Sequence, residues 1–174
     1  MKRKITLALV LIVALMATAF SACSGNEEST TVYPVLSVSE AKPGDTVVVQ
    51  VCIDNAERFC SMDYYLSYDA SAVTLVSCYT ESVTDLTSEC SSGADDAGNA
   101  YLKYTGFTMR TLDLHNCALM TAEFTVNADA AAGEAFFGVA MSDYCKGKDA
   151  DGNEIEEIVD AIVEGGEKLK ITVS

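Results

Sequence analysis

The sequence predicts an all-β sandwich, because short runs with strand character follow one another and turn-forming residues separate them. We count roughly nine such runs and no strong amphipathic helix, although residues 155–163 have a spacing that could form a short one. The predicted strands are residues 35–39, 46–53, 60–68, 73–78, 83–86, 101–107, 118–126, 135–144 and 169–173.

A turn signal separates the first two predicted strands. Pro43 followed by Gly44 suits the two central positions of a type II turn. In the strand that follows, every second residue is apolar, namely Val47, Val49, Val51 and Ile53. This alternation predicts a strand with one buried face.

The third strand, residues 60–68, shows the same alternation. Its inward residues are predicted to be Met62, Tyr64, Leu66 and Tyr68, and its outward residues Ser61, Asp63, Tyr65 and Ser67. The segment Asp69-Ala70-Ser71 ends this strand, and residues 73–78 form the next one.

The second half of the chain contains four clearer strands and two polar connections. Residues 81–99 are rich in Ser, Asp and Gly, which predicts mainly a loop with a short strand near residues 83–86. Residues 101–107 return to strand character, and residues 112–116 connect them to the strand 118–126. An alanine-rich loop at 127–134 precedes the strand 135–144, and residues 169–173 form the last strand.

The N-terminus has the pattern of a cleaved export signal. Lys2, Arg3 and Lys4 precede an apolar run over residues 5–20, which is shorter than a membrane span needs. Small residues then precede Cys23, which resembles the lipobox of bacterial lipoproteins. The resemblance implies a signal peptide over residues 1–22, a lipid on Cys23, and a polar tether over residues 23–33 before the domain at 34–174.

Composition limits the classes of partner. The chain has 11 basic and 26 acidic residues and a formal charge of −15, and its leader holds three of the basic ones. Binding to nucleic acid requires clustered Lys and Arg, so we expect no nucleic-acid partner. Trp is absent, so a sugar-stacking surface would have to be built from Tyr.

Catalytic and metal-binding signals are weak. The one histidine, His115, lies in a predicted connection, and no G-x-S-x-G motif is present. We therefore expect neither an enzyme nor a cofactor. Residues 149–153 alternate oxygen-bearing side chains, but a calcium loop would need Gly at Glu154 and Glu at Asp160. A turn between strands is the favoured interpretation, and we expect no metal site.

Six cysteines remain beside Cys23, namely Cys52, Cys60, Cys78, Cys90, Cys117 and Cys145. An even number in an exported chain indicates up to three disulfides. None of the spacings is that of a zinc site or a redox motif, and the sequence alone leaves the pairing open.

Three segments together resemble a cohesin domain. They are the AKPGDTV segment at residues 41–47, the MDYYLSYD segment at 62–69, and the Glu164-Gly165-Gly166 step before the final strand. The resemblance covers roughly residues 35–173. It implies a nine-stranded jelly-roll sandwich that is not an enzyme and that binds dockerin modules, which carry their own calcium.

The resemblance also implies where the partner binds. In cohesins, the strands that match residues 60–68 and 101–107 lie side by side on the dockerin-binding face. The candidate partner-binding residues are the outward ones of the first strand (Ser61, Asp63, Tyr65), those of the second (Lys103, Thr105), and Thr108 and Arg110 in the loop expected to follow.

The sheet order of cohesins further implies a cysteine pairing. In that order the second strand neighbours the seventh and the third neighbours the eighth, which pairs Cys52 with Cys117 and Cys60 with Cys145. Alternation places the first pair outward and the second pair inward, and paired side chains must share a face. Cys78 and Cys90 are then left to pair with each other.

Together these features predict a lipid-anchored module on the extracellular face of a bacterial cell membrane. It would hold dockerin-bearing enzymes or scaffold proteins there without covalent bonds. The alternatives are a carbohydrate-binding surface lipoprotein, which would need an exposed aromatic platform built from Tyr, and a structural surface module with no ligand of its own.

Overall fold

The computed structural model describes residues 29–148, 154–158, 162–163 and 166–172, and every regular element in these ranges is a β-strand. None of the described segments is a helix long and apolar enough to cross a membrane. The strands are β1 (Thr31–Leu36), β2 (Glu40–Ala41), β3 (Thr46–Asp54), β4 (Ala56–Tyr68), β5 (Val73–Thr80), β6 (Thr87–Ala94), β7 (Ala100–Leu114), β8 (Cys117–Val126), β9 (Gly133–Lys148), β10 (Glu154–Ile158), β11 (Ile162–Val163) and β12 (Gly166–Ile171).

The strands form two sheets that pack face to face as a jelly-roll β-sandwich, which confirms the predicted fold class. The smaller sheet has five strands in the order β11-β1-β3-β8-β5. The larger sheet has the order β2-β12-β9-β4-β7-β6, with β10 paired to β9. The central strands of the larger sheet are therefore β9, β4 and β7, which pair antiparallel.

The alternation predicted for β3 and β4 is the one observed. Val47, Val49, Val51 and Ile53 are fully buried, and so are Tyr64 and Leu66, with Met62 almost so. Aromatic rings pack between the two sheets. The ring centroid of Phe124 on β8 lies 4.9 Å from that of Tyr68 and 5.2 Å from that of Phe137, both in the opposite sheet. The predicted turn before β3 also forms: Asp45 N–H donates to Lys42 O at 2.9 Å, and Gly44 has a φ of 90°.

The largest difference from the prediction concerns β6. Residues 83–86 form no strand, and the strand lies instead at Thr87–Ala94, inside the segment predicted to be a loop. Its register with β7 runs unbroken from Thr87–Phe107 to Ala94–Ala100. Strand pairing uses backbone groups, so a polar segment can complete the edge of a sheet without an apolar pattern.

Three further boundaries differ from the sequence-based expectations. The helix considered for residues 155–163 is not formed, because residues 154–158 pair with β9 as β10. Strand β7 continues to Leu114 through the expected connection at 112–116. Strand β1 begins at Thr31, inside the segment assigned to the tether. The leader, Cys23 and the loop at 149–153 lie outside the described residues.

Candidate functional site

The outer face of the larger sheet brings the predicted partner-binding residues of two strands together. The register pairs Ser61 with Phe107, Asp63 with Thr105, and Tyr65 with Lys103. The residues between them on β4 point into the core, so these side chains point toward solvent. We call the surface formed by Ser61, Asp63, Tyr65, Lys103, Thr105 and Phe107 the β4–β7 face.

An ion pair lies at the centre of the β4–β7 face. Lys103 Nζ is 3.1 Å from Asp63 Oδ2, and both side chains are about one-third exposed. The hydrogen bond and the charge of Asp63 raise the pKa of Lys103, so the lysine stays cationic at neutral pH. Asp63 also lies opposite Asp143 of β9.

Tyr65 is one of the two aromatic residues of the face, the other being Phe107. Its ring meets that of Tyr101 edge to face, with centroids 5.1 Å apart. On its other side Tyr65 lies opposite Ala140 of β9, whose side chain is a single methyl group. The face therefore combines an aromatic ring with hydroxyl, carboxylate and ammonium groups, which suits recognition of a protein surface.

The sequence analysis missed two exposed apolar residues on β7. Phe107 is 46% exposed and lies across from Ser61, and the alternation of residues 101–107 could have identified it as outward. Met109 is 93% exposed and continues the same outward alternation, but the predicted strand ended at residue 107.

Thr108 was wrongly placed on the partner-binding surface. It is only 7% exposed, because β7 continues as a strand where a loop was expected. The register with β4 jumps from Ser61–Phe107 to Phe59–Leu112, so the residues between form a bulge. Thr108 Oγ1 accepts a hydrogen bond from Arg110 N–H at 3.1 Å, and Arg110 remains exposed.

The cysteines assigned to β4 and β9 do not point inward as predicted. Cys60 and Cys145 are both half-buried, while their neighbours Phe59 and Tyr144 fill the core. Bulges in both strands shift the alternation by one residue. Cys145 lies opposite Ser61, and Cys60 Sγ lies 3.7 Å from where a Cβ on Gly147 would be. Their pairing stays a prediction.

The other two predicted pairs are also close in the fold. Cys52 lies opposite Ala118, and Cys117 lies opposite Ile53, so this pair is offset by one residue beside a bulge. Burial raises the pKa of the Cys52 thiol, and the neighbouring Cys117 raises it further. This pairing stays a prediction too. The Sγ atoms of Cys78 and Cys90 lie 3.2 Å apart.

The described residues contain no arrangement typical of a catalytic or metal centre. His115 is more than half exposed, and its Nδ1 is 4.0 Å from Asp54 Oδ1. Among the described residues, no group of three or more His, Cys, Asp or Glu side chains is placed to hold a metal ion. An open groove of about 600 Å³ is lined in part by Asp69, Asp95 and Phe136. Asp95 accepts hydrogen bonds from Ala97 and Asn99 within its own turn, so its role is structural.

Comparison with solved structures identifies the same architecture in cohesins from several organisms. The seventh ScaB type I cohesin from Pseudobacteroides cellulosolvens is 15% identical, with a TM-score of 0.59, covering 84% of this chain and 94% of that one. The sixth cohesin of Acetivibrio cellulolyticus scaffoldin B, solved in complex with a mutant Cel5 dockerin, is 15% identical, with a TM-score of 0.60 and coverages of 83% and 100%. A non-cellulosomal cohesin from the archaeon Archaeoglobus fulgidus is 20% identical, with a TM-score of 0.57 and coverages of 83% and 92%.

These similarities show the fold, and the family follows from the sequence itself. No curated protein matches the chain. The cohesin domain family, in contrast, matches residues 33–165, which span both sheets and all of the β4–β7 face. The chain therefore belongs to the cohesin family.

Proposed function

We propose that this protein is a docking module that binds dockerin-bearing proteins through the β4–β7 face. The observation that carries the proposal is the outward surface of β4 and β7, where the Asp63–Lys103 ion pair lies beside Tyr65. Family membership supports it, because cohesins are non-catalytic binding modules. The Acetivibrio cellulolyticus relative was itself solved with a dockerin bound.

The proposed mechanism is non-covalent capture on a rigid sheet. Backbone hydrogen bonds to β7 and β9 hold β4 on both sides, so the face is formed before the partner arrives and loses little conformational entropy on binding. Tyr65 and Phe107 supply apolar contact area, while Asp63, Lys103 and Thr105 supply hydrogen-bonding groups around it. No residue of the face needs to react chemically.

A capture experiment tests the docking role. The immobilised chain, from residue 24 onward, is exposed to secreted proteins of the source bacterium in calcium and then in EDTA. We expect dockerin-bearing proteins to bind in calcium and to be lost in EDTA, because dockerins fold around calcium. If correctly folded protein captures no dockerin-bearing protein in either buffer, the docking role is wrong.

We also propose that Cys23 carries a lipid that holds the module on the outer face of the cell membrane. The basic and apolar leader supports this proposal, together with the small residues before Cys23. A short polar tether would then leave the sandwich free to meet its partner, and tethering would raise the local concentration of the captured protein near the cell.

Replacement of Cys23 tests the anchor. In cells fed a labelled fatty acid, we expect the native protein to carry the label and to sediment with membranes, and Cys23→Ala to lose both properties. Ser24→Ala is the matched control and should behave like the native protein. Unlabelled native protein would contradict the anchoring proposal without affecting the docking role.

Carbohydrate binding has less support than docking. Tyr65 and Tyr101 meet edge to face, so they do not form a shared flat platform for a sugar ring. Tyr79 is 53% exposed but lies on β5, in the other sheet.

A further inference from the structure

Two cysteines meet where the two sheets share an open edge. Cys78 belongs to β5, the edge strand of the five-stranded sheet, and Cys90 belongs to β6, the edge strand of the larger sheet. Their Sγ atoms are 3.2 Å apart. Since the two strands belong to different sheets, the contact crosses the sandwich rather than running along one sheet.

The position of Cys90 explains why this contact matters for β6. The strand reads TSECSSGA, and its side chains are half-buried or exposed throughout. Among the hydrophobic residues of β6, Cys90 is the one that packs against the core. Backbone pairing to β7 holds one side of β6, so Cys90 is the side-chain link between this edge strand and the opposite sheet.

The surroundings keep both sulfur atoms in place. Cys90 lies opposite Tyr104, which is fully buried, and Cys78 lies opposite Ala122, which is also fully buried. Both cysteines are therefore on the core side of their strands. Burial and the contact with Cys78 raise the pKa of the Cys90 thiol to about 12, so its reduced form stays protonated at neutral pH.

We propose that Cys78 and Cys90 are a site of oxidative modification, at which a disulfide joins the two sheets along their open edge. The oxidant is an external disulfide, such as glutathione disulfide or that of a thiol oxidoreductase. The two protein thiols lose two electrons and two protons as the Sγ–Sγ bond forms. The external disulfide accepts these two electrons and two protons and is released as two thiols.

The disulfide would act as a staple that fixes β6. A polar edge strand gains little from burial, and edge strands are open to mispairing. A covalent bond to β5 holds β6 in register with β7 and closes the edge of the sandwich. It also reduces the number of conformations open to the unfolded chain between the two cysteines.

Peptide mapping is the direct test. The chain from residue 24 onward, which contains every core residue among those the structure describes, is equilibrated with glutathione disulfide, then alkylated in denaturant and digested. We expect a linked peptide pair containing Cys78 and Cys90. Finding both cysteines alkylated, or either one linked to a different cysteine, would overturn the proposal.

Thermal unfolding provides the second measurement. In the oxidising buffer we expect Cys78→Ser/Cys90→Ser to melt roughly 10 °C below the native chain. With a reductant present the two proteins should melt within about 3 °C of each other, since neither then has the bond. Equal melting temperatures in the oxidising buffer would contradict the staple, even if mapping found the bond.

Discussion

Replacing Phe124 with alanine is expected to lower the free energy of unfolding by about 3–5 kcal/mol, the range for a large aromatic residue removed from a core. Phe124 is fully buried. Its ring packs against those of Tyr68 and Phe137 across the sandwich, with centroids 4.9 and 5.2 Å apart. The substitution leaves a cavity between the sheets where both rings lose their packing partner. Urea denaturation followed by circular dichroism measures the change.

Tyr64→Phe is the matched control for this experiment. Tyr64 is also fully buried, and its hydroxyl has no hydrogen-bond partner among the described residues. Removing that hydroxyl keeps the ring and its stack on Tyr104 at 4.7 Å, so we expect stability to change by less than about 1 kcal/mol or to rise. A loss below about 1 kcal/mol for Phe124→Ala would show that the sheets do not depend on this contact.

Replacing Ser61 with arginine is expected to weaken dockerin binding by about 100-fold or more, which corresponds to about 2.7 kcal/mol. Ser61 lies on β4, between Phe107 on β7 and Cys145 on β9. A long charged side chain there projects from the β4–β7 face and separates it from any partner that lies against it. Calorimetric titration with a purified dockerin gives the affinity.

Thr125→Arg is the control for the docking variant. Thr125 lies on β8, between Thr46 and Thr74, on the outer face of the other sheet. It introduces the same side chain on a strand of similar geometry, so we expect unchanged affinity. If Ser61→Arg binds as well as the native chain while both variants remain folded, the partner does not use the β4–β7 face.

The strands that the sequence predicted well are those with one buried face. In β3 and β4 the apolar residues recur at every second position, and burial follows the same positions because strand side chains alternate between faces. Strand β6 escaped prediction for the opposite reason. Its segment contains Ser88, Ser91, Ser92 and Gly93, and the strand exists because β7 offers backbone partners that no local pattern shows.

The candidate site was predictable only where the strands are regular. Alternation correctly placed Asp63, Tyr65 and Lys103 on one outward surface, because β4 and β7 pair there without interruption. Thr108 was misplaced because β7 continues past Phe107 as a strand, with Thr108 in the same inward phase as Leu102 and Tyr104. Bulges in β4 and β9 reversed the expectation for Cys60 and Cys145. A bulge adds one residue and shifts every later side chain by one face, and nothing in the amino-acid composition marks its position.

The most direct test of the central claim is a calorimetric titration of this chain with isolated dockerin modules from the same organism. The account predicts saturable one-to-one binding by at least one dockerin in calcium and its loss in EDTA. It also predicts loss of binding in the Ser61→Arg variant and retention in Thr125→Arg. Failure of every dockerin to bind the folded chain in calcium would contradict the docking function and leave the cohesin assignment as a statement about sequence family and fold.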